Sequence, residues 1–197
     1  MSGGYHHGNL REALVTEGMK LLDDDGVEAV TLRELARRTN VSHGAPHRHF
    51  GDRDELLGEM AARGFDELST LLVEVLQQPT PARRLRAYLR GYVTFATERP
   101  GLVQLMFSRV GKDAEGVHEA ARRFFSQGAR ALGVSEPGEP STGAFLVAAV
   151  SEGISTLAIA GRLPEERVDE VIDSAVAALL ASDALALPDT GQHADLT

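Results

Sequence analysis

The chain has no cysteine among its 197 residues, which removes disulfides, thiolate zinc sites and a cysteine nucleophile together. Lysine is almost missing as well: only Lys20 and Lys112 occur, and the other basic side chains, histidine apart, are arginines. No uninterrupted apolar run approaches eighteen residues, so no membrane-spanning segment is expected. The first residues also lack the charged-then-apolar order of a secretion signal. Strand-like alternation is nearly absent. These absences leave a cytoplasmic, all-α protein whose 43% hydrophobic content is enough to bury a core.

A net charge of −9 argues at first against a nucleic-acid partner, but the charge is unevenly placed. Residues 1–54 hold seven Arg/Lys against nine Asp/Glu, so most of the excess acid lies beyond them. Within 31–53, Arg33, Arg37, Arg38, Arg48 and Arg53 face only Glu34 and Asp52, a local +3, and five of the seven histidines precede residue 50. A small basic patch on an acidic body suits a protein that touches DNA at one end.

Apolar residues recur at three- and four-residue spacing almost throughout. Leu10, Leu14, Gly18, Leu21 and Leu22 mark one face of a first helix that stops at Gly26, a residue able to take the left-handed C′ conformation. Asp23, Asp24 and Asp25 oppose the macrodipole there and point to fraying or to the loop itself. Thr31–Glu34 reads as a capping box, the Thr31 hydroxyl accepting the Glu34 amide proton while the Glu34 carboxylate reaches back. Leu32, Leu35 and Ala36 then face inward and Arg33, Arg37 and Arg38 outward. Asn40 suits the turn, Val41 plugs the hairpin, and Ser42 caps a third helix through about Phe50, with Pro46 in its first turns. Further helices are expected from 52 or 54 to about 78, and at roughly 82–98, 101–109, 114–132, 142–162 and 165–182. The division this suggests is a helix-turn-helix domain over 1–54, a helical effector-binding and dimerisation domain over 55–183, and a polar, disordered tail over 184–197.

Two short helices around a tight polar turn fit DNA when the first braces the second and the second offers small or polar residues to the major groove. His43, Gly44, Ala45, His47 and Arg48 meet that demand, although an ordinary helical hairpin with a solvated face has the same spacing. Arg48 can pair with guanine or phosphate, and a histidine can donate to either. The run Thr31-Leu32-Arg33-Glu34-Leu35-Ala36, followed by Val41-Ser42, Gly44, His49-Phe50, Arg53 and Leu56-Leu57, resembles the DNA-binding domain of the TetR family of transcriptional regulators. The opening Tyr5-His6-His7-Gly8-Asn9-Leu10-Arg11 and the later Phe95-Ala96, Pro100 and Leu105-Met106-Phe107 resemble the branch whose C-terminal domain is called WHG. The chain departs from the pattern at His47, where the family usually has tyrosine, and at Glu152-Gly153, which falls where the branch has His-Gly.

The resemblance implies a dimeric regulator, a repressor released by a small-molecule effector, that binds a pseudo-palindromic duplex operator and is not an enzyme. It places Ser42, His43, Gly44, Ala45, His47, Arg48 and His49 on the recognition element, Thr31 and Arg53 on phosphates, and Arg33 at a base edge. It also implies an effector pocket for a largely apolar molecule among Tyr88, Tyr92, Phe95, Met106, Phe107, Phe124 and Phe125, residues that otherwise read as plain core. Gly143, Val147, Val150, Ile154, Leu157 and Gly161 step by 4, 3, 4, 3, 4, a seam for close helix packing. By resemblance these and Ile172, Ala175 and Leu179 form the dimer interface. Glu152 amid this apolar helix is rim-exposed, paired with Arg122, Arg123 or Arg162, or a polar contact in the pocket. No metal or cofactor is expected. Two alternatives stand: an effector-independent DNA-binding protein with a filled core, and a small helical metalloenzyme using His43, His47 and His49.

Overall fold

The computed structural model describes residues 10–108, 115–133 and 141–182. Among these, all regular structure is helical: α1 (Leu10–Asp25), α2 (Leu32–Arg38), α3 (Arg53–Leu76), α4 (Pro81–Glu98), α5 (Pro100–Phe107), α6 (Glu115–Leu132), α7 (Thr142–Ile159) and α8 (Glu165–Leu180), with 3₁₀ turns at Val27–Ala29 and Pro46–Arg48. Most of the opening run, Tyr5 to Asn9, and the tail expected over 184–197 lie outside the described residues. The helices fall into two compact units, Met1–Thr70 with Thr94–Phe124, and Leu71–Val93 with Phe125–Thr197.

In the first unit α1 packs on α2 and α5 around Leu14, Leu21, Leu35, Phe50, Leu56, Met60 and Phe65, all fully or almost fully buried. Gly18 is what lets α1 approach α3, because a Cβ there would stand 2.9 Å from the Met60 sulfur. Gly64 does the same between α3 and α5, where a Cβ would meet the Met106 sulfur at 2.7 Å. Phe65 sits between Phe107, edge-on at 5.6 Å, and Phe124 at 6.2 Å.

Two local expectations are corrected here. Asp23 to Asp25 are helical; the cost of anions at a helix C-terminus is offset by arginines, Arg99 reaching Asp23 at 2.7 Å and Arg38 reaching Asp25 at 3.3 Å. Gly26 ends α1 not in the left-handed helical region but at φ 82°, ψ 174°, a conformation essentially confined to glycine.

In the second unit α7 and α8 pack together over Val147, Ile154, Val168, Ile172, Val176 and Leu179. Arg86 and Arg90 of α4 reach Asp173 and Asp169 of α8 at 2.5 and 2.6 Å; these exposed pairs orient more than they stabilise. Contrary to expectation, the 18 residues of α7 are long and apolar enough to cross a membrane by length and composition. Ser151, Glu152 and Ser155 interrupt the apolar run, so it does not stand out in the sequence.

Candidate nucleic-acid interface

The interface begins with a well-terminated α2. Thr31 Oγ1 accepts the Glu34 N–H at 3.2 Å, as the capping pattern requires. The reciprocal half of the box is absent: the Glu34 carboxylate takes Arg37 at 2.6 and 2.9 Å and Arg38 at 3.1 Å. Those arginine hydrogen bonds hold the carboxyl down to about 2. Nearby guanidiniums outcompete a backbone amide for a carboxylate.

At the other end α2 closes in a Schellman motif. Asn40 takes φ 55°, its N–H reaches Arg37 O at 3.3 Å, and the Val41 N–H reaches Ala36 O at 3.0 Å, satisfying two carbonyls that a helix end leaves open. The buried Thr39 hydroxyl donates to Leu35 O at 2.7 Å.

The expected third helix is replaced by something tighter. Residues 43–45 turn, and only Pro46–Arg48 are helical, as a single 3₁₀ turn. The Ser42 carbonyl accepts the Ala45 N–H at 2.9 Å, and the Arg48 N–H reaches Ala45 O at 3.2 Å. Pro46 explains the shape: it has no N–H to give Ser42, and its ring clashes with the carbonyl four residues earlier. The turn also undoes the helical i, i+4 spacing that would put His43 and His47 on one face. Among the described residues no group of three His, Asp or Glu side chains could hold a metal ion, which counts against the metalloenzyme alternative.

Pro46 and Phe50 are buried and anchor the segment, while Ser42, His43, Gly44, His47 and Arg48 are exposed and Ala45 and His49 half-buried. From α1, Arg11 clamps its end: the guanidinium lies 4.3 Å over the Phe50 ring, donates to the His49 carbonyl, and pairs with Glu59. Sequence reasoning gave Arg11 only a place at the end of the Tyr5–Arg11 run; an arginine opening an amphipathic helix carries no signal of which ring it will cover.

The five arginines of the basic patch divide cleanly. Arg37 and Arg38 are held by Glu34. Arg53, expected on a phosphate, gives Nε to the Val30 carbonyl at 2.7 Å and Nη2 to the Val27 carbonyl at 2.5 Å, bracing the α1–α2 connection. Arg33 and Arg48 are exposed, and among the described residues neither guanidinium has a hydrogen-bond or ion-pair partner.

The residues expected to line an effector pocket divide between the two units. Phe95, Met106, Phe107 and Phe124 belong to the first, Tyr88, Tyr92 and Phe125 to the second. Met106, Phe124, Tyr88 and Tyr92 are buried, Phe95 is half-buried, and Phe107 and Phe125 are exposed. None of them lines the open cleft of about 820 Å³ in the first unit, whose walls include Arg11, Glu59, Arg63, Asp66, Glu119 and Arg123. Glu152 is hydrogen-bonded by the Tyr92 hydroxyl, while Arg122 pairs with Glu119 and Arg123 with Asp66.

The residues expected at a dimer interface differ in exposure within the single chain. Val147, Ile154, Ile172 and Leu179 are already buried within the chain, and Val150 and Ala175 are half-buried. Leu157 is exposed, as are Phe145, Leu146 and Ile159, with Phe145 at 64%. The regular 4, 3 stepping thus runs from buried Gly143, Val147 and Ile154 to exposed Leu157 and Gly161.

Comparison with known proteins agrees with this geometry. Residues 14–60 match the family described as bacterial regulatory proteins, tetR family, and residues 85–179 match the tetracyclin repressor-like C-terminal domain. The chain belongs to the TetR family. An HTH-type transcriptional repressor of Mycobacterium tuberculosis is 34% identical over 70 residues, 36% of this chain and 35% of that protein. The chain thus matches only about a third of the length of such curated relatives. A solved protein of unknown function from Rhodococcus sp. RHA1 is 34% identical with a TM-score of 0.75, covering 90% of this chain and 97% of its own. A transcriptional regulator from the same organism is 25% identical with a TM-score of 0.69, over 86% and 95%. As a TetR-family transcriptional regulator the chain carries its DNA-binding domain in the segment built around α2 and the 3₁₀ turn.

Proposed function

We propose that this regulator is a cytoplasmic homodimeric repressor that holds a pseudo-palindromic operator through residues 31–49 and releases it when a small, largely apolar effector enters its C-terminal domain. The observation that carries the reading is the pair of unpaired, exposed guanidiniums, Arg33 and Arg48, beside a surface of Ser42, His43, Gly44 and His47. In this assignment Arg48 reads base edges, Arg33 contributes from α2, and the Thr31 hydroxyl contacts a phosphate. Residues 1–54 act as the head and residues 55–183 as the effector and dimer domain. α3, one unbroken 24-residue helix whose residues enter both units, carries the signal. The second copy covers Phe145, Leu146, Leu157 and Ile159. Repressor action is supported by the mycobacterial relative, which is described as a repressor.

The test is selection of binding sites from random duplex DNA with the full-length protein. Two related half-sites, about 34–36 Å or a multiple apart, are expected; selected sites without dyad symmetry overturn the dimeric reading. Effector control is tested by screening small molecules for release of the selected DNA, and its absence leaves the effector-independent alternative.

A further inference from the structure

Glu152 is the single ionisable residue of α7, a helix otherwise made of apolar, glycine and hydroxyl residues. Its carboxylate is part-buried and accepts from the Tyr92 hydroxyl of α4. Tyr88, one turn earlier on α4, stacks on Tyr92 with ring centroids 6.3 Å apart and 26° between the planes, and both rings are at most 5% exposed. Burial and the nearby carboxylate push both phenols up, so they stay neutral. The neighbouring Ser151 and Ser155 hydroxyls donate to carbonyls of their own helix at 2.8 Å.

Of the arginines of this unit, Arg86 and Arg90 pair with Asp173 and Asp169 and Arg167 with Glu170, and Arg84 donates to the Ala131 carbonyl. Among the described residues Glu152 forms no ion pair. One phenol satisfies only part of a carboxylate's acceptor capacity, and a carboxylate withdrawn from water without a cation is expensive to keep. A metal ion does not suit the place, since hard cations need six or more oxygen ligands and no three-residue cluster exists among the described residues. A weakly hydrated alkylammonium group suits it well, because it gains from a carboxylate and from aromatic rings at once.

We propose that the effector is an organic cation, an apolar molecule bearing an ammonium group for which Glu152 is the counter-ion and the Tyr88–Tyr92 pair the aromatic wall. The proposal rests on the effector reading given above and narrows its ligand class. It is tested by calorimetry on the full-length protein with two matched pairs, phenyltrimethylammonium against its uncharged isostere tert-butylbenzene, and benzyltrimethylammonium against neopentylbenzene. Each cation is expected to bind roughly ten-fold or more tightly than its isostere. Glu152→Gln, which keeps the shape, abolishes the preference, and Tyr92→Phe, which keeps the carboxylate, preserves it. If the isosteres bind as tightly as the cations, or if Glu152→Gln retains the preference, the cation assignment is overturned while the effector reading stands. If no member of either pair binds, the cation assignment falls, and the effector reading is decided separately by the screen for release of the selected DNA.

Discussion

Two surfaces of this chain are left without partners inside it, and they are left in opposite ways. Around α2 and the 3₁₀ turn, Arg33 and Arg48 are charged and unpaired on a face whose large apolar groups, Pro46 and Phe50, are turned inward. On α7 the reverse holds: Phe145, Leu146, Leu157 and Ile159 are large, apolar and exposed, and Glu152 is the helix's single charge. Unpaired guanidiniums in water cost little and are ready for an anionic polymer. Clustered exposed apolar side chains do cost, and mark a surface that another protein surface covers. On the function proposed above the two faces take different partners, phosphate and base edges at one, a second apolar surface at the other. Each substitution that follows exchanges or removes the feature that defines one face.

The largest effect is expected at α7. Phe145→Glu places a charge on the apolar face, and in a two-fold dimer it does so twice. Losing the burial of a phenylalanine costs about 1.5–3 kcal/mol per side, so self-association weakens roughly 100-fold or more, read by sedimentation across a dilution series. Val147→Ala serves as the contrast. It empties part of the chain's own core and lowers the melting temperature without first changing the subunit mass. If Phe145→Glu leaves the association state untouched, the exposed stripe belongs to some other partner.

Within the head, the contrast between spent and free arginines is the sharper one. Arg53→Ala removes a charged donor from the Val27 and Val30 carbonyls and is expected to cost about 1.5–3 kcal/mol of stability, measured by denaturant unfolding. Its effect on DNA follows only from that loss. Arg48→Ala touches no partner in the free protein, so its stability stays within about 0.5 kcal/mol of the parent. The change appears instead as relaxed base preference, about 1–3 kcal/mol at one position of the half-site. An Arg48→Ala protein that loses affinity equally on every sequence makes Arg48 a phosphate ligand, and a fully stable Arg53→Ala protein returns Arg53 to the DNA.

How much of this was legible beforehand depended on how local the cause was. The Thr31 cap, the inward face of α2, the Asn40 turn and the ends of the long helices follow from residues within four positions of one another, and the structure has them. The recognition segment departs from the expected helix through one residue, since Pro46 both lacks an N–H and clashes with the Ser42 carbonyl. Arg53 could not be told from Arg48 by sequence, because its acceptors lie 23 and 26 residues away. Glu152 posed the same difficulty at 60 residues. For α7 the limit is different: periodicity shows which positions share a face, and not whether that face meets the chain's own core or another surface.

The smallest effect expected concerns the acid side of the head's stability. The Glu34 carboxyl is held down to about 2 by hydrogen bonds from Arg37 and Arg38, below its ordinary 4.5. A group whose value falls on folding binds fewer protons in the native state than in the unfolded one. Its contribution is therefore present above about 4.5 and is lost as the pH falls from there toward 2. The cluster is open to solvent and screened by salt, so the loss is a shallow slope and not a transition. Glu34→Gln removes the titrating group while leaving the Thr31 cap on residue 34's backbone amide. The expected outcome is that unfolding free energy declines less between pH 5 and 2 in Glu34→Gln than in the parent, with the difference reduced in high salt. Parallel acid limbs for the two proteins would mean that the pairing of Glu34 does not outlast exposure to water, and that Arg37 and Arg38 stand as free as Arg33 and Arg48 to meet DNA.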